Sequence, residues 1–139
     1  MKKRAPVSEI MTTDLVTVDK TKHTLRDVKS IFAKGNIRHL PVLEGEKLAG
    51  IISKNDMNRL SFGTMFENQG DSDEAVLDML SIDQVMTHHP TSISPETTIR
   101  DAAEMLVSHS FHSLPVSENG TPTGIVTSTD IIDYLLKQY

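Results

Sequence analysis

Cysteine and tryptophan are both missing from this 139-residue chain, and four phenylalanines and two tyrosines stand in their place. Without cysteine there are no disulfides and no thiolate metal sites, which fits a reducing compartment. No run approaches the roughly 20 apolar residues that a membrane-spanning helix needs. Lys2, Lys3 and Arg4 open the chain, but no apolar stretch follows them, so a secretory signal is not expected. Positive charge is also short: 14 Lys and Arg against 19 Asp and Glu leave a formal net charge of −5. Binding along a phosphate backbone wants a basic footprint, so nucleic acid is not an expected partner. Small anionic ligands stay open, because a local basic cluster can outweigh a modest global charge. Glycine-rich phosphate loops, the dinucleotide fingerprint and the nucleophile elbow are all absent, so no catalytic residues are assigned and no enzyme is expected. What remains, 37% hydrophobic and 24% charged, is ordinary for a globular protein, and a cytoplasmic location is expected. The length suits one compact domain or two small halves sharing a core.

The chain repeats itself. Met11-Thr12 recurs as Met86-Thr87, an offset of 75, and Leu25-Arg26-Asp27 recurs as Ile99-Arg100-Asp101, an offset of 74. Leu40-Pro41-Val42 returns as Leu114-Pro115-Val116, Gly50-Ile51-Ile52-Ser53 as Gly124-Ile125-Val126-Thr127, and Asp56 as Asp130. So many ordered matches organise the whole chain.

Each copy reads alike. An extended run, Leu15 to Val18 or Thr91 to Ile93, precedes a helix whose apolar residues fall at i, i+3 and i+7: Leu25, Val28 and Phe32, or Ile99, Ala102 and Leu106. Asp27 and Asp101 sit in the first turn, where negative charge suits the helix dipole. A hairpin follows, turning at Glu44-Gly45-Glu46 in the first copy and at Asn119-Gly120 in the second. Pro41 and Pro115 fix φ and are expected at strand starts rather than in strand middles. A closing helix carries Met57 and Leu60, or Ile131, Ile132, Leu135 and Leu136.

The order β-α-β-β-α, twice, predicts an α+β protein in two layers. Each small sheet has little apolar surface to bury alone, so the copies are expected to pack sheet to sheet about a pseudo-twofold axis. The first repeat is placed at 1–62 and the second at 81–139. A linker at 63–80 carries the polar run Asn68-Gln69-Gly70-Asp71 and then a short helix over Ala75 to Leu80.

The Met-Thr lead-in, the strand with Thr or Ser before a hydrophobe, the amphipathic helix, Leu-Pro-Val and Gly-h-h-Ser/Thr-x-x-Asp together resemble the CBS domain family, named for cystathionine β-synthase. The resemblance covers roughly Val7 to Leu136, with every element present twice in order. It implies a CBS pair with two clefts between the repeats, each able to hold AMP, ADP, ATP or a related adenosyl compound as a regulatory ligand rather than a cofactor. By position, one cleft would use Thr12, Thr17, Ile37 and Arg38 with His112, Thr127, Thr129 and Asp130. The other would use Thr87, Ser92, Phe111 and His112 with Arg38, Ser53, Asn55 and Asp56. It also implies a homodimer of two pairs, and the apolar face of the last helix (Ile132, Leu136) gives a physical reason for one. Asp56 and Asp130 belong to separate clefts under this resemblance, so they do not form an acid–base pair.

The chemistry of these residues suits the assignment. A carboxylate accepts two hydrogen bonds, as a ribose cis diol requires, so Asp56 and Asp130 are ribose candidates. Ser53 and Thr127 stand three residues earlier, where helix amides could receive a phosphate. The same Ser/Thr-x-x-Asp spacing is also a capping box, and one residue can serve both roles. Arg38 offers a planar fork to phosphate and His112 a pH-dependent donor; either is otherwise solvated loop charge. Ile37 and Phe111 would line an adenine or belong to the core. Thr17 and Ser92 could bond the adenine edge or be ordinary strand hydroxyls. Ser53-Lys54-Asn55-Asp56 departs from the hydroxyl-rich Thr127-Ser128-Thr129-Asp130, since Asn55 replaces a hydroxyl.

His88-His89 and His109-x-x-His112 lack accompanying ligands at metal spacing, so no metal site is expected. The seven methionines read as core filler. The function expected is a ligand-sensing regulatory module; the alternative is a structural dimerisation module with empty clefts. Little sequence follows the last helix, so the expectation is either a separate effector protein or a module that acts alone.

Overall fold

The computed structural model describes residues 4–62 and 75–139. Lys2, Lys3 and the loop expected over Gly63 to Asp73 lie outside the described residues. A 3-10 turn at Val7–Glu9 precedes β1 (Val18–Asp19), α1 (Leu25–Lys34), β2 (His39–Glu44), β3 (Lys47–Ser53) and α2 (Lys54–Phe62). Then come a helical turn at 75–79, here α3, α4 (Ile82–Val85) and β4 (Thr87–His88). The chain ends with α5 (Ile99–His109), β5 (Ser113–Glu118), β6 (Thr121–Thr127) and α6 (Ser128–Lys137). Helices beside mixed sheets make this an α+β protein. The two extended runs are shorter than the sequence suggests: the first is β1 alone, and the second is reduced to a parallel bridge between Ile93 and Val116.

These elements form two compact units, and the units do not follow the order of the chain. One is Val16–His89; the other joins Met1–Leu15 to Pro90–Tyr139. In the first unit the strands lie in the order β1-β2-β3-β4, with β1 parallel to β2 and the other pairs antiparallel. The second unit repeats that order around the β5-β6 hairpin. Ile93 bridges Val116 on one side, and Thr12 bridges Ile125 on the other. The Met-Thr lead-in of each sequence repeat therefore pairs with the hairpin of the other repeat: Thr87 lies against Ile51, and Thr12 against Ile125.

Glycine makes this pairing possible. A Cβ built at Gly50 would stand 2.4 Å from Met86 Sδ and 2.8 Å from the Thr87 carbonyl oxygen. At Gly124 it would stand 2.6 Å from Met11 Sδ and 3.1 Å from the Thr12 carbonyl oxygen. Each methionine thus lies across a bare stretch of strand that a side chain would block.

The helices take their places as their periodicity predicts. Leu25, Val28 and Phe32 are buried with Leu40, Val42 and Ile52, whereas Ile99, Ala102 and Leu106 are buried with Leu114, Val116 and Val126. Thr24 caps α1 in a reciprocal box with Asp27, and the Thr98 hydroxyl accepts the Asp101 amide of α5. The Asp27 carboxylate thus serves as a capping partner as well as a dipole complement, whereas Asp101 gives the cap only its amide. The second hairpin turns through Asn119 and Gly120, both left-handed with φ of 54° and 82°, as a two-residue turn between twisted strands requires.

Pro41 and Pro115 depart from expectation. Each is the third residue of its strand and pairs with Ile51 or Ile125. The Pro115 carbonyl accepts from the Ile93 amide at 2.9 Å, so its nitrogen faces the same side, toward a neighbour that is only a bridge. A missing N–H therefore breaks no bond of the hairpin.

Asp19 ties the end of β1 to the first hairpin. Its carboxylate accepts from the Thr21 amide (2.8 Å), the Thr21 hydroxyl (2.6 Å) and the Gly45 amide (3.1 Å). These bonds, the Thr21 hydroxyl foremost, hold its pKa below the usual carboxylate value.

Two outcomes follow. Gly50→Ala should lower stability by about 1–3 kcal/mol in urea melts, and by more than Gly124→Ala, because its new Cβ meets a carbonyl at closer range. Asp19, with a folded pKa depressed below its unfolded value of about 3.9, contributes stability that is present above that value and lost as pH falls through the folded pKa. Asp19→Asn should therefore flatten the acid limb of urea midpoint against pH below about pH 4; an unchanged limb would show that Asp19 has no such part.

Candidate ligand-binding site

The two Ser/Thr-x-x-Asp motifs lie at strand-to-helix corners of the same construction. In the Val16–His89 unit, β3 ends at Ser53 and α2 begins at Lys54. The Ser53 hydroxyl accepts from the Asp56 amide at 3.0 Å, and Asp56 Oδ2 accepts from the Ser53 amide at 2.8 Å. In the other unit the Thr127 hydroxyl accepts from the Asp130 amide at 3.1 Å, and Asp130 Oδ2 accepts from the Thr127 amide at 2.9 Å. Both motifs are therefore capping boxes, one of the two roles their spacing allows.

The capping leaves few donors for an anion. The Lys54 amide donates to the Arg38 carbonyl at 2.8 Å, and the Ser128 amide donates to the His112 carbonyl at 3.1 Å. With the first and third amides of each helix engaged, those of Asn55 and Thr129 are the first-turn donors left over among the described residues. The same bonds hold Arg38 and His112 beside the helix starts. Both are exposed, and each precedes the strand whose first residue pairs with Ser53 or Thr127.

The two corners differ at their carboxylates. Arg59, one turn along α2, donates to Asp56 Oδ1, and the Asp56 side chain is only 12% exposed. Asp130 Oδ1 has no protein partner among the described residues. The residue matching Arg59 at the offset of 74 is Asp133, which pairs with Lys137 at 3.0 Å. Sequence reading overlooked Arg59; its signal was the i, i+3 spacing to Asp56, which puts the two on one helix face. Lys54 lines a hollow of about 290 Å³ with Lys29, Phe32, Met57 and Leu77.

The remaining candidates divide between the units. Thr12, Ser92, Phe111, His112, Thr127, Thr129 and Asp130 belong to the unit containing 90–139; Thr17, Ile37, Arg38, Ser53, Asn55, Asp56 and Thr87 belong to Val16–His89. Thr12 and Thr87 give their backbones to sheet edges, and their side chains are exposed, as is that of Ser92. Thr17 is half-buried. Ile37 and Phe111 are half-buried against the cores of their units, and the Phe111 ring stacks on His109 with centroids 5.3 Å apart. Among the described residues no cluster of three His, Asp or Glu could hold a metal ion, and no helix is long and apolar enough to cross a membrane. His88 instead bonds the Asp83 carbonyl at 2.7 Å through Nε2.

Residues 7–63 and 82–137 each match the family model described as CBS domain. The inosine-5′-monophosphate dehydrogenase of Korarchaeum cryptofilum is 28% identical over 85% of this chain, which spans 22% of that enzyme. The chain spans less than half the length of the first curated relatives it matches. Among solved structures, CBSX2 of Arabidopsis thaliana in complex with AMP superposes with a TM-score of 0.79 at 22% identity, covering 96% of this chain and 98% of that one. The CBS domain pair of MJ0100, in complex with 5′-methylthioadenosine and S-adenosyl-L-methionine, gives 0.78 at 23% identity, covering 97% and 98%.

The capping role has a measurable size. Thr127→Ala and Ser53→Ala should each lower stability by about 1 kcal/mol in chemical denaturation, the usual loss of an N-cap hydroxyl. A loss near zero would mean that the hydroxyls do not cap their helices.

Proposed function

The chain belongs to the CBS domain family, and from that premise we propose that it is a regulatory module that binds an adenosine-containing ligand (AMP, ADP, ATP or a related adenosyl compound) and catalyses nothing. The observation that carries this reading is the duplicated corner. A hydroxyl and a carboxylate are held in fixed geometry at a helix start, with a leftover amide and an exposed Arg38 or His112 alongside. Asp130 supports it most directly, because its Oδ1 stands ready to accept a ribose hydroxyl while Oδ2 maintains the helix cap. Thr129, Asn55 and the exposed side chains of Thr12, Thr87 and Ser92 complete the proposed contacts with Thr17, Ile37, Phe111, Ser53, Thr127 and Asp56. The adenosyl ligands of CBSX2 and MJ0100 favour the same class of compound for this chain. The match to part of a dehydrogenase fits a module whose output is felt by catalytic machinery outside the module itself.

In this reading the ligand acts through its different affinity for two arrangements of the protein. The module works in the cytoplasm as a homodimer through the apolar face of α6, where Ile132 and Leu136 are 57% and 68% exposed. A separate effector protein receives the signal. A second reading, a structural dimerisation module with empty clefts, is favoured by the capping boxes, which already account for Ser53, Asp56, Thr127 and Asp130 without any ligand.

Thermal stability separates the two. At a hundred times its dissociation constant a specific ligand should add about 2.7 kcal/mol. AMP, ADP, ATP or S-adenosyl-L-methionine at millimolar concentration should therefore raise the melting temperature, and Asp130→Ala should diminish the response to S-adenosyl-L-methionine while leaving a folded protein. No shift with any of these compounds would favour the scaffold.

A further inference from the structure

We propose that the two corners select different adenosyl ligands: the Asp56 corner one with an anionic phosphate tail, and the Asp130 corner one without. This inference rests on the adenosyl reading above and adds to it which chemistry each corner accepts.

The argument begins with the carboxylate oxygens. Asp56 Oδ2 is committed to the Ser53 amide and Oδ1 to Arg59. A ribose hydroxyl reaching Oδ1 must displace the guanidinium. An uncharged ligand offers Arg59 nothing in exchange, and its charge returns to water. A phosphate tail offers it a bidentate partner, so the ribose gains Oδ1 while Arg59 keeps an anion. Arg59 is 73% exposed and has the freedom to make that exchange. Arg38, exposed and with its backbone held beside the same helix start by its carbonyl bond to the Lys54 amide, supplies a second positive charge.

The Asp130 corner inverts these features. Its Oδ1 has no protein partner among the described residues, so a diol is received without displacing anything. The position matching Arg59 is Asp133, and the position matching Arg38 is His112. Asp133 is drawn toward Lys137 at 3.0 Å, but both side chains are well exposed, so solvent and salt leave the pair little net effect at the corner. Two cations at one corner are thus matched by an acid and an imidazole at the other. A phosphate tail meets Asp130 and Asp133 there, with no arginine or lysine at either matched position.

Isothermal titration calorimetry on the full chain tests this with ATP and with adenosine as probes. ATP affinity should fall about tenfold or more in Asp56→Ala and in Arg59→Asp, and stay within twofold in Asp130→Ala. Adenosine should show the reverse dependence on the two aspartates and be indifferent to Arg59→Asp. ATP affinity should also weaken with added salt while adenosine affinity does not. If Asp56→Ala fails to fold, Arg59→Asp carries the test alone, because Arg59 is exposed and lies outside the cap. Binding of both probes with each lost in the same variant, or ATP affinity unmoved by Arg59→Asp, overturns the inference and leaves the adenosyl reading intact. If the wild-type chain binds neither probe nor any other adenosyl compound, both fall together.

Discussion

Each sheet is completed by a strand that arrives from the other sequence repeat, and that strand can come close only where the hairpin presents no side chain. Gly50 and Gly124 supply the gap, and Met86 and Met11 fill it. The backbone bonds are reciprocal at Thr12, whose amide and carbonyl bond Ile125 at 2.9 and 3.0 Å. Neither repeat is thereby structurally self-sufficient, since the Met-Thr segment of one closes the sheet of the other. The exchange also accounts for a unit that gathers residues from both ends of the chain.

In the proposed reading, one set of atoms at each corner serves folding and binding together. A capping box needs a hydroxyl and a carboxylate three residues apart, and so does a sugar-gripping site at a helix start. Each carboxylate has two oxygens, and the cap uses one. The proposed binding then depends on the fate of the second, which is a question of neighbours rather than of motif. At Asp56 the neighbour is a guanidinium; at Asp130 there is none among the described residues. The duplicated motif is symmetric in sequence, whereas the charge around it is not.

The same division between motif and neighbours separates what was legible in advance from what was not. Helix faces follow from apolar spacing, and Leu25, Val28, Phe32, Ile99, Ala102 and Leu106 are buried as that spacing requires. The Asn119-Gly120 turn is legible because few other pairs accept two left-handed residues in succession. Pro41 and Pro115 were placed wrongly because local reasoning treats a missing N–H as a defect anywhere inside a strand, whereas their nitrogens face a side where little pairing occurs. Arg59 was passed over because its i, i+3 spacing to Asp56, though visible in the chain, is common to any acid and arginine on one helix face and does not mark a site.

The sequence by itself determined the repeat, the α+β class, the order of elements in each copy and the membership of the hydroxyl–carboxylate corners, since all of these rest on spacing between near neighbours. Only the tertiary structure decided that Met11-Thr12 and Met86-Thr87 cross to the opposite hairpins, and that Asp56 Oδ1 is occupied where Asp130 Oδ1 has no partner among the described residues. Pairing between distant segments depends on steric gaps such as Gly50 and Gly124, and occupancy depends on which side chains meet in space; neither leaves a period in the chain.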